Sequence, residues 1–286
     1  RTRYSHSLDS NRSIAGERAQ LHRCLMHSKL SLTFAYRRGQ TRLTDVQADS
    51  VFKVTRPVSL PDGSGLQLIL MSPAPGIFGG DLWEIHIHAE SGTQVHLTTQ
   101  GALRIHPSQN GDLAQQKLHY TLQAEANLTI YSDPVIPFAA SQFNQQTVLE
   151  VEAGAQLGFW EAYMAGRLAH GEAWRFQLLQ SETKFLAGSE LKYLDRSRLC
   201  PSEQGLSNPF RLGKYPVWAS ALMYVPNSFS APHQWSKESE VAVDQVAPNL
   251  YLLRCLAPDG QVLRQVQHQW LQSLSKNDSQ AMSISA

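Results

Sequence analysis

Three histidines lie close together in the sequence and could bind a metal ion. His86 and His88 are two residues apart, so on a strand both side chains would point to the same face. His96 could lie on the next strand, and three imidazoles on one sheet face would suit zinc, copper or nickel. The alternative, which we favour, is that Ile85 and Ile87 form the buried face and the histidines only line the solvated one.

Three carboxylates are further candidates for site chemistry. Asp81 follows a glycine-rich loop, Asp133 lies in a block with two prolines, and Glu161 follows Phe159 and Trp160 in a stretch that otherwise looks buried. Paired inward carboxylates in a stacked β fold could belong to a glycoside hydrolase or polysaccharide lyase. They could also conduct a hard or borderline cation, or each could accept hydrogen bonds from loop backbone. The spacing does not decide between these interpretations.

Other common site motifs are missing from the sequence. There is no Gly-x-Ser-x-Gly motif and no Cys-x-x-Cys pair. The glycine-rich segment 76–81 lacks the Lys-Ser/Thr ending of a phosphate-binding loop, so we expect its glycines to permit a tight turn or a close backbone approach. Cys24, Cys200 and Cys255 are far apart, which favours a reducing compartment, and we expect a cytoplasmic protein.

The composition excludes some classes of protein. Of 286 residues, 25 are basic and 24 are acidic, so the formal net charge is +1 and only 17% of residues are charged. This balance argues against a nucleic-acid-binding protein, and no apolar run reaches the length of a membrane span, about 18 residues. A surface with few charges is poorly protected against association, which favours a protein with obligate partners. A tightly folded all-β protein of ordinary solubility fits the composition equally well.

The chain divides into two unequal parts. Segment 1–28 carries five arginines and two acidic residues, with few large apolar side chains and no apolar core of a signal peptide. We expect it to be a flexible basic arm. Residues 29–286 are predicted to form a single β domain that ends in a C-terminal helix.

The hydrophobic pattern predicts β structure over most of this domain. Alternation from Leu30 to Tyr36, followed by Arg-Arg-Gly-Gln, predicts a hairpin. Three similar strand–turn–strand units follow, beginning at Ala89, Ala124 and Val151, with Gly or Asn expected at each turn. Units of this size favour stacked, solenoid-like strands, although an irregular β-sandwich also fits.

A helix is predicted near the C-terminus, with Asp259 as its N-cap. Its apolar face recurs at helical spacing. That face consists of Val262, Leu263, Val266, Trp270 and Leu274.

Five sequence blocks, in order, resemble the motifs of the urease accessory protein UreD family, which is called UreH in some organisms. Segment 75–81 (PGIFGGD) is similar to the family's Gly-Gly-(Ile/Leu)-Val-Gly-Gly-Asp motif. The other four are 97–102 (LTTQGA), 133–138 (DPVIPF), 160–167 (WEAYMAGR) and 171–174 (GEAW). The chain departs from the family at Arg104–Pro107, where many members have Lys-x-Tyr-Arg, and at Leu128–Ile130, where Leu-Glu-Trp is frequent.

The resemblance implies an all-β fold of irregularly stacked, helically arranged strands with few helices, and no catalysis by the chain itself. It implies a scaffold that bridges the accessory proteins UreF and UreG to apo-urease, with UreG as a nickel-delivering GTPase. Nickel(II) would pass transiently through an internal channel, with no permanently bound cofactor.

The resemblance also suggests roles for particular residues. Asp81, Asp133 and Glu161 fall inside matching blocks and become candidates for the channel or an interface. Arg104, where the chain departs from the family, is a further candidate. We expect Trp270 to pack either on the β domain or on UreF. Two rivals remain open at this point: a β-solenoid carbohydrate-active enzyme with an open groove, and a nickel store, which the scarcity of histidine and cysteine ligands disfavours.

Overall fold

The computed structural model describes residues 26–60, 63, 65–205, 212, 214–225, 229, 231–232 and 234–284, although the side chains of 204 and 275–284 are not described. Residues 1–25, which make up most of the expected basic arm, lie outside the described residues, and so does Cys24. The first strand begins at His27, two residues before the predicted start of the β domain.

The described residues form mainly β-strands. The first nine strands are β1 (His27–Arg37), β2 (Gln40–Ala48), β3 (Lys53–Val54), β4 (Val58–Ser59), β5 (Leu66–Met71), β6 (Leu82–Ala89), β7 (Gln94–Thr99), β8 (Leu103–Ile105) and β9 (Ala114–Leu122). They are followed by β10 (Asn127–Tyr131), β11 (Val135–Pro137), β12 (Gln142–Val151), β13 (Gln156–Met164), β14 (Leu178–Ala187), β15 (Glu190–Leu199), β16 (Val217–Tyr224), β17 (Glu240–Ala247) and β18 (Leu250–Ala257). The helices are α1 (Pro201–Gln204) and α2 (Gly260–Ile284), with one 3₁₀ turn at Leu168–His170.

The strands form two sheets that pack face to face. The seven-stranded sheet has the order β15-β14-β12-β9-β6-β1-β2. The larger sheet has the order β17-β18-β16-β13-β10-β7-β5-β3, with β4, β8 and β11 attached beside this path. The main hydrophobic core lies between the two sheets and includes Leu32, Ile87, Leu128, Phe143 and Phe159. The predicted all-β class and the single long helix near the C-terminus are confirmed.

Successive segments of the chain alternate between the two sheets and stack as a solenoid. Strands β6, β9, β12 and β14 are parallel neighbours in one sheet, and β7, β10 and β13 are parallel neighbours in the other. Short turns join β6 to β7, β9 to β10 and β12 to β13. The residues with positive φ in these three turns are Gly92, Glu125 and Gly154, respectively. The predicted strand–turn–strand units are therefore present, but in the second unit Glu125 takes the position expected for Gly or Asn. The predicted hairpin of β1 and β2 is also present.

Helix α2 covers the outer face of the larger sheet. The Oδ1 of Asp259 accepts hydrogen bonds from the backbone N–H groups of Gln261 (2.8 Å) and Val262 (2.9 Å), as predicted for an N-cap. Gly158 on β13 allows the close approach, because a Cβ there would lie 2.7 Å from Cδ1 of Leu274. Within the described residues, neither helix is long and apolar enough to cross a membrane.

Trp270 lies at the centre of this second core. Its side chain is 0% exposed, and its ring centroid is 5.4 Å from that of Trp160 on β13. The expectation that Trp270 packs on the β domain is confirmed. A fully buried indole presents no surface to another protein in this structure, so the arrangement favours the packing role over the partner-binding role.

Candidate functional site

An interior cavity lies between the two sheets. Its volume is about 190 Å³, which is large enough for several water molecules. Trp83, Gln116 and Gln145 line it from the seven-stranded sheet, and Phe159 and Glu161 line it from the larger sheet. The lining also includes the exposed residues Ser72, Pro75, Gln100 and Gly101, so the cavity reaches the surface on that side.

Glu161 is the buried carboxylate of this cavity. It shares the inward face of β13 with Phe159 and Tyr163, while Trp160 and Ala162 face helix α2. Only 8% of Glu161 is exposed. The sequence-based inference that it lies in a buried strand is correct, and its side chain enters the space between the sheets.

Four neutral side chains donate hydrogen bonds to the Glu161 carboxylate. Its Oε2 accepts from Nε2 of Gln145 (3.1 Å) and from the hydroxyl of Tyr163 (3.2 Å). Its Oε1 accepts from the hydroxyls of Ser220 (3.0 Å) and Thr183 (3.5 Å). The carboxylate is thus held in a fixed position by both sheets.

Burial raises the pKa of Glu161 above its ordinary value, and the loss of hydration is the largest cause. The hydrogen bonds from Ser220 and Tyr163 oppose this effect, as does the positive charge of Arg254, whereas the negative charge of Asp195 adds to it. Because hydrogen bonds from neutral groups do not fully replace water around a buried anion, this carboxyl group takes up a proton more readily than an exposed one.

Asp133 lies at the exposed end of the same cavity. Its Oδ2 accepts a hydrogen bond from the backbone N–H of Gly101 (2.8 Å), and its Oδ1 is 3.8 Å from Nη2 of Arg264. It also lines a neighbouring cavity of about 430 Å³ beside the start of helix α2. Asp133 therefore braces a loop, as one interpretation of the sequence expected, and also borders two cavities.

Asp81 is a structural residue. It does not line the cavity that contains Glu161. Its Oδ2 accepts from the backbone N–H of Phe78 (3.0 Å) and its Oδ1 from that of Met26 (3.2 Å). Both oxygens thus hold backbone, so the expectation of a channel role for Asp81 is not supported and the loop-bracing alternative is.

Arg104 on β8 is a rim residue of the cavity. A Cβ on Gly76, whose φ is +141°, would lie 2.2 Å from the carbonyl oxygen of Arg104. The glycine-rich segment therefore does permit a close backbone approach, as its composition predicted.

The three histidines do not form a common site. His86 and His88 lie on the outer face of β6 in the seven-stranded sheet, whereas His96 lies on β7 in the other sheet. A different imidazole lies beside His86: the ring centroid of His119 on β9 is 5.7 Å from that of His86. Partial burial, and then the neighbouring His119, lower the pKa of His86. Among the residues that the structure describes, no three His, Cys, Asp or Glu side chains are grouped to hold a metal ion.

An ion pair that the sequence does not predict lies beyond Glu161. Nη2 of Arg254 on β18 is 2.7 Å from Oδ2 of Asp195 on β15, and it also donates to the hydroxyl of Tyr193 (3.1 Å). The two residues are 59 positions apart and lie in different sheets. No local sequence pattern could have paired them, because their contact depends on how the two sheets face each other.

The fold and the cavity together define a class of protein. A solenoid of two β sheets with a buried carboxylate inside has an internal polar site, not the open groove that the carbohydrate-enzyme alternative required. Residues 26–284 match the model of the UreD urease accessory protein family, and the chain belongs to this family.

Curated relatives agree with this family. A urease accessory protein UreD from Deinococcus radiodurans is 36% identical over 200 residues, which cover 70% of this chain and 71% of the relative. One from Herpetosiphon aurantiacus is 33% identical over 245 residues and 84% of each chain. A UreD 1 protein from a Synechococcus strain is 33% identical over 189 residues, 66% of this chain and 70% of the relative. These relatives are named accessory proteins, which favours a non-catalytic role.

Proposed function

We propose that this chain is a urease maturation factor that links UreF and UreG to apo-urease and conducts nickel(II) towards the urease active site. Family membership supports the role in urease maturation. The observation that carries the nickel path is the buried carboxylate of Glu161 in a cavity whose exposed end contains Asp133.

A conduit differs from a storage site in the strength of its ligands. Nickel must leave as readily as it enters, so a path needs sparse oxygen ligands, and thiolates would bind the metal too tightly. Among the described residues, the lining of this cavity contains two carboxylates, Asp133 and Glu161, and no histidine or cysteine. The raised pKa of Glu161 also means that a proton competes with the metal, which limits the affinity of the site.

The proposed protein is a scaffold and not an enzyme. Nickel(II) is a transient cargo in this proposal, and no cofactor stays bound. The partners are UreF, UreG through UreF, and the subunits of apo-urease; neither a nucleic acid nor a membrane takes part. We place the action in the cytoplasm, consistent with Cys200 and Cys255 being buried thiols.

The test of the path uses Glu161→Gln and Asp133→Asn, which keep the size of each side chain and remove its negative charge. Each variant is co-expressed with the cognate urease and its other accessory proteins. Co-purification with UreF and apo-urease is measured first, followed by urease activity and nickel content. The matched control is Glu150→Gln, which neutralises a carboxylate on the outer face of the sheet.

The expected result is normal assembly with reduced activity and reduced nickel for the two path variants, and wild-type values for the control. Full activity and nickel content in both path variants would refute the nickel path. Failure of the wild-type chain to co-purify with UreF and apo-urease would refute the scaffold role.

A further inference from the structure

Polar side chains continue beyond Glu161, although the cavity itself does not. Ser220 and Thr183 both donate to Oε1 of Glu161. Thr183 is the direct cross-strand partner of Asp195, and Ser220 is the direct partner of Arg254. Directly paired residues share a face of a sheet, so Asp195 and Arg254 extend the inward polar row by one strand in each sheet.

The row ends near solvent, where the two sheets meet. The side chain of Asp195 is 23% exposed and that of Arg254 is 48% exposed, whereas Thr183 is buried. β15 is the last strand of the seven-stranded sheet, and β18 lies next to the last strand of the larger sheet. The ion pair between Asp195 and Arg254 therefore joins the two sheets on the side of Glu161 away from Asp133.

We propose that the Arg254–Asp195 ion pair is a latch at this far end of the interior path, and that a divalent cation passing Glu161 opens it by replacing the guanidinium on the Asp195 carboxylate. The inference rests on the proposed nickel path. A carboxylate is a suitable oxygen ligand for such a cation. A guanidinium cannot ligate a metal, but it neutralises Asp195 until a cation arrives.

Electrostatics support a coupling between the latch and Glu161. The charge of Asp195 raises the pKa of Glu161, and the charge of Arg254 lowers it, so the two charges of the closed pair oppose each other in their effect on this pKa. When a cation separates the pair, the net effect of the two charges on the pKa of Glu161 changes. Ser220 and Thr183 lie between the two sites, and small hydroxyl side chains can rotate without a change of backbone.

The test measures urease activation by the full set of accessory proteins at limiting nickel, with and without EDTA in solution. The variants are Asp195→Asn, Arg254→Gln and the double variant. Arg196→Gln is the matched control, because Arg196 is the next residue on β15 and pairs with Glu182 (2.5 Å) on the outer face of the sheet. Melting temperatures are recorded for every variant.

Asp195→Asn leaves Arg254 as an uncompensated positive charge beside the path. We expect it to slow activation about fivefold or more, the effect of one unit charge at contact distance even in a water-like dielectric. Arg254→Gln removes the guanidinium that closes the far end of the path. We therefore expect EDTA in solution to reduce urease activation by this variant. The double variant should recover most of the rate lost in Asp195→Asn, and the control should behave like the wild type.

The outcomes separate the latch from the path. If Glu161→Gln impairs activation while Asp195→Asn and Arg254→Gln behave like the wild type, the latch is refuted and the path stands. If the loss in Asp195→Asn is not relieved in the double variant, the pair only joins the two sheets and the latch is refuted. If the Glu161→Gln variant supports normal urease activation, both the path and the latch are refuted.

Discussion

The packing of helix α2 on the larger sheet makes a strong prediction about stability. Replacing Trp270 with alanine removes a fully buried side chain that contacts Trp160 across the second core. A buried aromatic side chain removes about 150–250 Å² from water. At about 25 cal/mol per Å² this corresponds to about 4–6 kcal/mol, an upper value because unfolded chains already bury some surface. Measured Trp→Ala substitutions in cores cost about 3–5 kcal/mol, and we expect that range here.

A second substitution at the same position separates volume from hydrogen bonding. Nε1 of Trp270 is buried and has no hydrogen-bond partner among the residues that the structure describes. Trp270→Phe removes this unpaired donor and keeps an aromatic ring, so we expect it to cost less than half as much as Trp270→Ala. Gln272→Ala, on the exposed side of the same helix, should change the free energy of unfolding by less than about 0.5 kcal/mol.

The measurement is urea denaturation followed by circular dichroism, with the free energy of unfolding extrapolated to water. Circular dichroism is preferred because the substitution itself changes tryptophan fluorescence. A Trp270→Ala variant within about 0.5 kcal/mol of the wild type would show that helix α2 contributes little to the fold. The assignment of Trp270 to the core would then have to be abandoned.

Two further predictions concern the carboxylates. Asp81→Ala leaves the backbone N–H groups of Phe78 and Met26 without their acceptor, so thermal denaturation should show a loss of about 1–3 kcal/mol; an unchanged melting temperature would contradict the bracing role. Because the pKa of Glu161 is raised in the folded state, wild-type stability falls as pH rises through and above 4.5. Glu161→Gln lacks this titration, so its free energy of unfolding relative to the wild type should increase from pH 4 to pH 8, and a flat difference would contradict the raised pKa.

Features that depend on neighbouring residues could be predicted from the sequence. Alternation from Leu30 to Tyr36 gave the correct hairpin, and Asp259 followed by apolar residues at helical spacing gave the correct helix start. These patterns are local, because turn geometry and capping involve residues within a few positions of one another. The positive φ at Glu125 was not predictable in this way, since a residue other than Gly or Asn rarely adopts it.

Features that depend on the arrangement of the sheets could not be predicted. The sequence placed His96 near His86, yet the turn between β6 and β7 sends the chain into the opposite sheet. It offered Asp81 and Glu161 as equivalent candidates, and only the contacts of their oxygens distinguish a loop brace from an interior carboxylate. The resemblance to UreD motifs identified the family correctly but did not distinguish these roles.

The register of the stacked strands in the solenoid explains why the surroundings of the buried Glu161 carboxylate are well defined. Parallel stacking brings residues from successive units into register, so Trp83, Gln116, Gln145 and Ser181 form one inward rank across four strands. This rank becomes more polar towards the end that faces Glu161, where an apolar rank would have packed more favourably. Because an interior carboxylate at neutral pH costs stability, its support by hydroxyl and amide donors from four strands favours a functional role over a packing role. A cation that passes through the cavity would supply the charge that these neutral donors lack.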